Sequence, residues 1–218
     1  MNLAILDCTL RDGGYYNNWD FDVNVVSKYL ESMSSARIDY VELGLRNFST
    51  EGFLGAFAYT TEDFINTLDL PEGPAYGVMV DAKTVINSGM SVEEAINSLF
   101  VPASASKIEL VRVAAHFKEV EFSQPIVSCL KNLGYKVGFN LMQAGGKSDK
   151  LIAEKAKQIE SWKALDVLYF ADSLGNMDAK EVKRIFKSLR SNWTGAIGIH
   201  THNNMDKGLD NTLTAMSE

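Results

Sequence analysis

Short apolar segments alternate with amphipathic ones along nearly all 218 residues of the chain, and this alternation constrains the fold more than any other feature. Several apolar segments are hydrophobic almost throughout, which is typical of parallel strands covered on both faces. Strict alternation of strands and helices requires right-handed crossovers and therefore a parallel sheet. The predicted strands are Leu3–Cys8, Tyr40–Leu45, Ala75–Val80, Lys107–Ala114, Lys136–Met142, Asp166–Ala171 and Ala196–Thr201.

The segments between the predicted strands have the residue spacing of amphipathic helices. Ser91 followed by Glu94 predicts a capping box at the start of one helix, and Gly134 predicts the end of another. The predicted helices are Asn24–Ala36, Thr60–Leu68, Val92–Phe100, Phe122–Leu133, Ser148–Trp162, Asp178–Ser191 and a last one from Lys207 onward.

Two α/β architectures fit this pattern, an open doubly wound sheet and a TIM (β/α)8-type barrel. An open sheet that binds a nucleotide has a GxGxxG turn after its first strand. Here the first strand leads into a glycine-rich turn, Arg11–Gly14, in which Asp12 would repel phosphate. The sequence therefore favours the barrel.

A complete barrel takes about 250 residues, so we expect residues 1–218 to form a single, incomplete barrel domain with seven parallel strands. On this interpretation the chain is an N-terminal fragment of a longer protein and lacks the last strand and helix. Seven strands leave two unpaired edges, which favour association. We expect either a further C-terminal segment or a homo-oligomer to cover the gap.

The composition excludes several kinds of partner. The formal net charge is −7, and without a long basic run the chain lacks the charge pattern of a nucleic-acid-binding protein. No apolar run approaches the roughly 20 residues of a membrane-spanning helix, and the N-terminus has no signal-peptide pattern. The two cysteines, Cys8 and Cys129, form no CxxC pair, so we expect free thiols in a reducing cytoplasm.

Candidate catalytic residues collect where the predicted strands end, which is where barrels carry their active sites. His200 and His202 are two residues apart on the last strand, so their side chains share a face. With Asp12 from the end of the first strand, they would offer two nitrogens and one carboxylate oxygen to a divalent ion, with positions left for substrate. The alternative for the histidines is ordinary packing or exposure.

Four segments carry a family resemblance: LDCTLRDGG, VRVAAHFKE, YFADSLGNM and GIHTHNNMDKGLDN. In order and spacing they resemble the metal-dependent carbon–carbon lyases and condensing enzymes built on a TIM barrel, a superfamily that includes hydroxymethylglutaryl-CoA lyase and isopropylmalate synthase. The resemblance covers essentially the whole chain. It is strongest to the 4-hydroxy-2-oxovalerate aldolases, through the VRVA-x-H and ADS-x-G-x-M segments.

The resemblance implies that Asp12, His200 and His202 bind the metal, with Mn²⁺ or Mg²⁺ expected first and Co²⁺ or Zn²⁺ as alternatives. It also implies that Arg11 stabilises an enolate oxygen while a bond is cleaved or formed next to the keto group of a 2-keto acid. This assignment is physically reasonable because a cation and a guanidinium at that oxygen lower the barrier. The planar guanidinium can hold the oxygen and a second acceptor together.

One position departs from the pattern of these aldolases. Tyr15 stands where they have a histidine, the proposed base for the substrate hydroxyl. Tyrosine has a reference pKa of about 10, far from the optimum for a base at neutral pH, unless a cation such as Arg11 lowers it. His116 is the alternative base, or else a residue that orders the end of the fourth strand.

Three further residues are expected to support the substrate site. Glu42 would orient the catalytic arginine or form a plain salt bridge. Asp172 would hold a ligand imidazole from behind or cap a helix. Asn140, at the end of the fifth strand, would contact substrate.

Two other functions stay open at this point. The chain could be a Claisen-type condensing enzyme or acyl-CoA lyase of the same superfamily, because the base histidine is replaced. It could also be an inactive metal-binding barrel with a regulatory or interaction role.

Overall fold

The computed structural model describes residues 3–218, and within that range it contains seven strands that follow one another in chain order in one parallel sheet. This confirms the predicted α/β class and the seven strands of an incomplete TIM-type barrel. The strands are β1 (Leu6–Asp7), β2 (Tyr40–Leu45), β3 (Ala75–Asp81), β4 (Leu110–Ala115), β5 (Lys136–Leu141), β6 (Val167–Asp172) and β7 (Ala196–Thr201).

Helices separate the strands throughout the described residues. None of them is both long and apolar enough to cross a membrane. The helices are α1 (Thr9–Gly13), α2 (Val23–Ser35), α3 (Glu62–Thr67), α4 (Ala82–Ile86), α5 (Val92–Leu99), α6 (Val120–Asn132), α7 (Asp149–Ser161), α8 (Ala179–Arg190) and α9 (Gly208–Met216), with 3-10 turns at Gly14–Tyr16, Ala56–Ala58 and Ala103–Ala105.

The ends of the helices follow from local chemistry, as the sequence predicted. Ser91 and Glu94 form the expected capping box at the start of α5. Gly134 has a φ of +94° just beyond α6, a backbone conformation that glycine adopts without steric cost. Asp22 caps α2 by accepting from two backbone N–H groups.

The first strand is shorter than predicted. We expected Leu3–Cys8, but only Leu6 and Asp7 are in strand conformation. In the described part of the chain β1 pairs with β2 alone, and the side chains of Leu3 and Ile5 are more than half exposed. Cys8 already turns the backbone into α1.

Contacts divide the chain into two compact units. The first comprises the residues up to Arg112 together with Cys129–Lys136, and the second comprises Val113–Ser128 and Val137–Glu218. The single domain predicted for residues 1–218 stays a prediction.

In the first unit, β2 pairs in parallel with both β1 and β3. The apolar residues of these strands are buried, as the sequence predicted. Val41 and Leu43 of β2 and Val78 and Val80 of β3 are fully buried. The pairing of β2 with β3 shifts register between Glu42 and Gly44, which is the mark of a β-bulge.

In the second unit, β6 pairs in parallel with both β5 and β7. Phe139 and Leu141 of β5 and Phe170 of β6 are fully buried. The ring of Phe139 packs edge-on against Trp162 at the end of α7, with the ring centroids 5.2 Å apart. Odd-numbered residues of β5 therefore face the helices, and even-numbered ones face the opposite side of the sheet.

Candidate active site

The segment that carries Arg11 and Asp12 is a short helix rather than the expected glycine turn. Residues Thr9–Gly13 form α1, and Gly13 and Gly14 have φ angles of −64° and −59°. Because both values are ordinary for a right-handed helix, Gly14 is not needed for backbone freedom. A Cβ atom at Gly14 would lie 2.0 Å from Cδ1 of Trp19, so glycine is needed there to make room for the indole.

Trp19 holds this segment in place. Its indole is 7% exposed, and Nε1 donates to the backbone carbonyl of Arg11 over 2.8 Å. The ring of Tyr15 packs edge-on against it, with centroids 4.6 Å apart. The tryptophan therefore fixes the backbone from which the Arg11 side chain extends.

The first unit contains a cluster of four charged side chains around Glu42. Arg11 donates from Nε to Oε1 of Glu42 over 2.8 Å and from Nη1 to Oδ1 of Asp12 over 2.5 Å. Arg112 donates from Nε and Nη2 to the two oxygens of Glu42, each over 2.6 Å. Arg11, Glu42 and Arg112 are 5% exposed or less, whereas the Asp12 side chain is 31% exposed. The cluster thus presents Asp12 to solvent and keeps the other three groups buried.

The charges in this cluster are strongly coupled. Burial alone would raise the pKa of Glu42, but Arg112 and Arg11 outweigh that effect and hold the pKa at about 2. Glu42 is therefore ionised at any physiological pH and balances two buried guanidinium groups. Burial also raises the pKa of the nearby Cys8 thiol to about 11, so this thiol is protonated at neutral pH.

The β-bulge explains why Glu42 of β2 joins the cluster and Arg46, just beyond β2, does not. Residues 42 and 46 would share a face in a regular strand. The register shift after Glu42 changes that parity. Arg46 instead donates to the carbonyl of Thr60 and to Glu62, with its guanidinium over the ring of Phe100. It anchors the end of the loop between β2 and α3 and takes no part in the cluster.

Arg112 belongs to this cluster but was assigned no role from the sequence. A buried cation inside the apolar run LVRVAA requires a buried anion, and that was the available signal. The sequence could not show that its partner is Glu42.

The second unit contains the two histidines. His200 is on β7 and His202 follows its end, and their Nε2 atoms are 2.9 Å apart. Both side chains are partly exposed. The hydroxyls of Thr201 and Thr212 lie 3.0 Å apart and tie this end of β7 to α9.

Two asparagines stabilise the chain beyond the histidines, Asn203 in the loop and Asn211 on α9. Asn203 accepts from the backbone N–H of Gly208 over 2.8 Å. The amide nitrogen of Asn211 donates to the carbonyl of Met177 over 3.0 Å. These contacts fix the path of the chain after His202.

The other site residues predicted from the sequence are Asp172, His116, Tyr15 and Asn140. Both oxygens of Asp172 accept from backbone N–H groups, those of Asn176 and Met177, so the carboxylate orders the loop after β6. His116 follows β4, and its backbone N–H donates to Glu119. Tyr15 is 62% exposed and Asn140 is 4% exposed.

A cavity of about 680 Å³ opens in the second unit beside the carboxyl ends of β5 and β6. Arg184 lines it, but its guanidinium is held by Glu181 and Asp149. The remaining lining comes from the loops after β5 and β6 and from the start of α8.

A comparison with known protein families identifies the family of this chain. The model of one protein family, described as HMGL-like, matches residues 2–218. The chain belongs to the HMGL-like family. The resemblance drawn from the four sequence segments is thereby confirmed.

Two similar proteins of named activity extend the comparison. The HMGL-like chain is 29% identical to a 4-hydroxy-2-oxovalerate aldolase from Geobacillus thermodenitrificans over 100% of its own length and 61% of that protein. It is 28% identical to a protein of the same name from Chloroflexus aggregans, over 97% of this chain and 60% of that one. The chain thus spans about three fifths of the length of these relatives.

Solved structures show the same fold. The N-terminal domain of a candidate aldolase from Bacteroides vulgatus is 32% identical, with a TM-score of 0.85 over 99% of this HMGL-like chain and 69% of that one. The HMG-CoA lyase from Brucella melitensis is 15% identical, with a TM-score of 0.74 over 99% of this chain and 77% of that one. At such low identity the second likeness concerns the fold alone.

Proposed function

We propose that this chain carries the catalytic centre of a divalent-metal-dependent aldolase, which cleaves or forms a carbon–carbon bond next to the keto group of a 2-keto acid. The observation that carries the proposal is the arrangement of Arg11. Its guanidinium is oriented by the buried Glu42 and contacts Asp12, which is the first of the three proposed metal ligands. The names of the aldolase relatives support the same reaction class.

The donor set of Asp12, His200 and His202 fits a divalent ion. Each residue offers one ligand atom and each is partly exposed. Two ligand atoms about 2.1 Å from an ion and at right angles to each other are about 3.0 Å apart. The Nε2 atoms of the two histidines are 2.9 Å apart, which suits neighbouring positions around one ion. A set of two nitrogens and one oxygen suits a divalent ion such as Mn²⁺, Mg²⁺, Co²⁺ or Zn²⁺, and the resemblance to the metal-dependent lyases puts Mn²⁺ or Mg²⁺ first.

The ion, when bound, would polarise the keto oxygen and stabilise negative charge on it. Arg11 would add a second stabilising group. Its Nε and Nη1 atoms are engaged by Glu42 and Asp12, which leaves Nη2 to donate to the oxygen on which charge develops. Because Glu42 and Trp19 hold the arginine in place, little reorganisation is needed as that charge appears.

The proposed cleavage of a 4-hydroxy-2-keto acid has three parts. A base takes the proton of the 4-hydroxyl group, the bond between C3 and C4 breaks, and an aldehyde leaves. The electron pair of the broken bond passes to the 2-keto oxygen, which gives the enolate of pyruvate. Protonation at C3 then yields pyruvate.

Tyr15 and His116 are the two residues proposed for the base. The surroundings of Tyr15 favour His116. Although the residue is 62% exposed, its partial burial raises the pKa of the Tyr15 hydroxyl, and Asp81 raises it further, against the smaller opposite effect of Arg11. A phenol with a raised pKa is a poor base at neutral pH. We therefore place His116 first, with Tyr15 as a donor that orients the substrate hydroxyl.

The test is the exchange of the methyl protons of pyruvate with deuterated solvent, measured by NMR with Mn²⁺ or Mg²⁺ present. We expect exchange with the ion and none after chelation. Asp12→Asn should reduce the rate by at least about 100-fold, since even supporting residues of metal sites are worth 10–100-fold. Asp69→Asn, which alters an exposed carboxylate beyond α3, should have no effect.

Two outcomes would replace the proposal. Metal binding without any exchange would indicate an inactive metal-binding barrel. Consumption of an acyl-CoA thioester in place of exchange would indicate a condensing enzyme or acyl-CoA lyase.

A further inference from the structure

The amide of Asn140 is in an unusual position for a buried polar group. The residue lies on β5 and is 4% exposed, and its Oδ1 atom has no hydrogen-bond partner among the residues that the structure describes. Nearly all buried acceptors in folded proteins are paired, because an unpaired one is costly. Such an acceptor is available to a ligand where it lies on the face of the sheet that carries the proposed site.

Asn140 faces the same side of the sheet as the first histidine. Its neighbour Phe139 points to the helix side, against Trp162, so Asn140 points the opposite way. Asn140 is in register with Tyr169 of β6, which in turn is in register with Gly198 of β7. His200 is two residues beyond Gly198 and therefore on the same face.

Tyr169 shapes the surface between the two residues. A Cβ atom at Gly198 would lie 2.3 Å from Cδ1 and Cε1 of the Tyr169 ring. The ring thus covers Gly198 and forms a floor below His200. A ligand held at the histidine would extend over this floor toward Asn140.

The spacing indicates which part of a ligand reaches the amide. Asn140 and His200 are two strands apart, about 10 Å across the sheet. The two carbons of a keto acid that would be held next to the histidine cannot cover that distance. Asn140 is therefore within reach only of the part beyond the reacting carbon, which is the aldehyde part.

We propose that Oδ1 of Asn140 accepts a hydrogen bond from a hydroxyl group on the aldehyde part of the substrate, so that the enzyme acts on hydroxylated aldehydes rather than alkyl ones. The inference rests on the proposed aldolase function and names the substrate class of the same site. An alkyl aldehyde would leave the acceptor unpaired, and such sites discriminate strongly against substrates that lack the matching group.

The experiment compares aldol addition of pyruvate to propanal and to glyceraldehyde, which have the same number of carbons. For the unmodified chain we expect kcat/KM to be at least about 10-fold higher with glyceraldehyde. In Asn140→Leu the preference should fall by about 10-fold or more. The thermal midpoint of Asn140→Leu should stay the same or rise, since an unpaired buried acceptor is removed.

The matched control is Asn211→Leu. Asn211 is 1% exposed and also has an Oδ1 atom without a partner in the described chain, but its amide nitrogen donates to Met177. We expect this variant to be less stable and to keep the preference for glyceraldehyde.

The outcomes separate the two proposals. If the unmodified chain exchanges pyruvate protons but prefers neither aldehyde, or if Asn140→Leu keeps the preference, the role of Asn140 is overturned while the aldolase function stands. If no exchange occurs at all, the proposed function itself fails.

Discussion

The Glu42 carboxylate joins two arginines that are far apart in the chain. Its two oxygens accept from Arg11 and Arg112, and all three groups are buried. The net stability of such a cluster relative to an apolar one is small, because desolvation opposes the attraction between the charges. We propose that its value is positional, since it fixes the guanidinium that would face the substrate.

The first prediction in this cluster concerns Glu42→Gln. Removing the carboxylate takes away the charge that balances the buried Arg112 and leaves Arg11 with Asp12, so the free energy of unfolding should fall by about 3–5 kcal/mol. The same variant should change the response to acid. The depressed pKa of Glu42 contributes stability that is present above its unfolded pKa of 4.5 and is lost as the pH falls toward about 2. Urea denaturation between pH 7 and pH 2 measures both effects, and the slope in the acid range should flatten in the variant.

Glu109→Gln is the control for that prediction. Glu109 pairs with Lys136 over 3.7 Å, but both side chains are more than half exposed. The loss should stay below about 1 kcal/mol. Equal losses for the two variants would contradict the special role of Glu42.

Among the elements, α1 depends on the close approach of Gly14 to the indole of Trp19. Gly14→Ala would bring a Cβ atom to 2.0 Å from the Trp19 indole, which must move and release the carbonyl of Arg11. We expect a loss of about 1–3 kcal/mol in stability, together with a fall in kcat for pyruvate proton exchange. Thermal unfolding and the exchange assay measure the two effects.

Gly13→Ala separates this effect from a general one of glycine. Gly13 has a similar φ angle, and a Cβ atom there would meet nothing within 4 Å. Alanine should be neutral or stabilise the chain by up to about 1 kcal/mol. A comparable loss at both positions would argue against the role of Trp19.

The elements also show what the sequence could predict. The bounds of β2 and β7 were predicted correctly because each is a short apolar run with clear limits. The helix α1 was missed because five residues are too few to show a helical period. The β-bulge after Glu42 left no recognisable mark in the sequence, so the separation of Glu42 from Arg46 was not foreseen.

For the candidate site, the sequence identified side chains but not their partners. Arg11 and Glu42 were expected to meet because they carry opposite charges and Arg11 follows a strand next to the one that carries Glu42. The contact of Glu42 with Arg112 depends on tertiary structure. The contacts of Asp172 are local by contrast, since its carboxylate is engaged by the backbone of its own loop.

At the scale of the whole molecule, the proposed metal ligands come from opposite ends of the chain. An unfolded chain cannot hold one ion with all three, so the ion should bind the native state preferentially. At Mn²⁺ concentrations of 100 times the dissociation constant, the stabilisation should be about 2.7 kcal/mol. For a chain of this size that is a rise of roughly 5–11 °C in the thermal midpoint.

Asp12→Asn provides the comparison for this measurement. The variant should have a thermal midpoint that does not respond to Mn²⁺ at the same concentration. An unchanged midpoint for the unmodified chain at saturating Mn²⁺ would count against the three ligands. The measurement needs no substrate, so it is independent of the reaction.

The neutrality of the Glu42 cluster has a consequence for the order in which ligands arrive. Two carboxylates and two guanidiniums cancel, so the cluster alone has no net charge to attract an anion. Entry of a dication would leave an excess of positive charge, and a keto acid would then be drawn in by it. Occupancy by the acid should therefore follow occupancy by the cation, in a compulsory sequence.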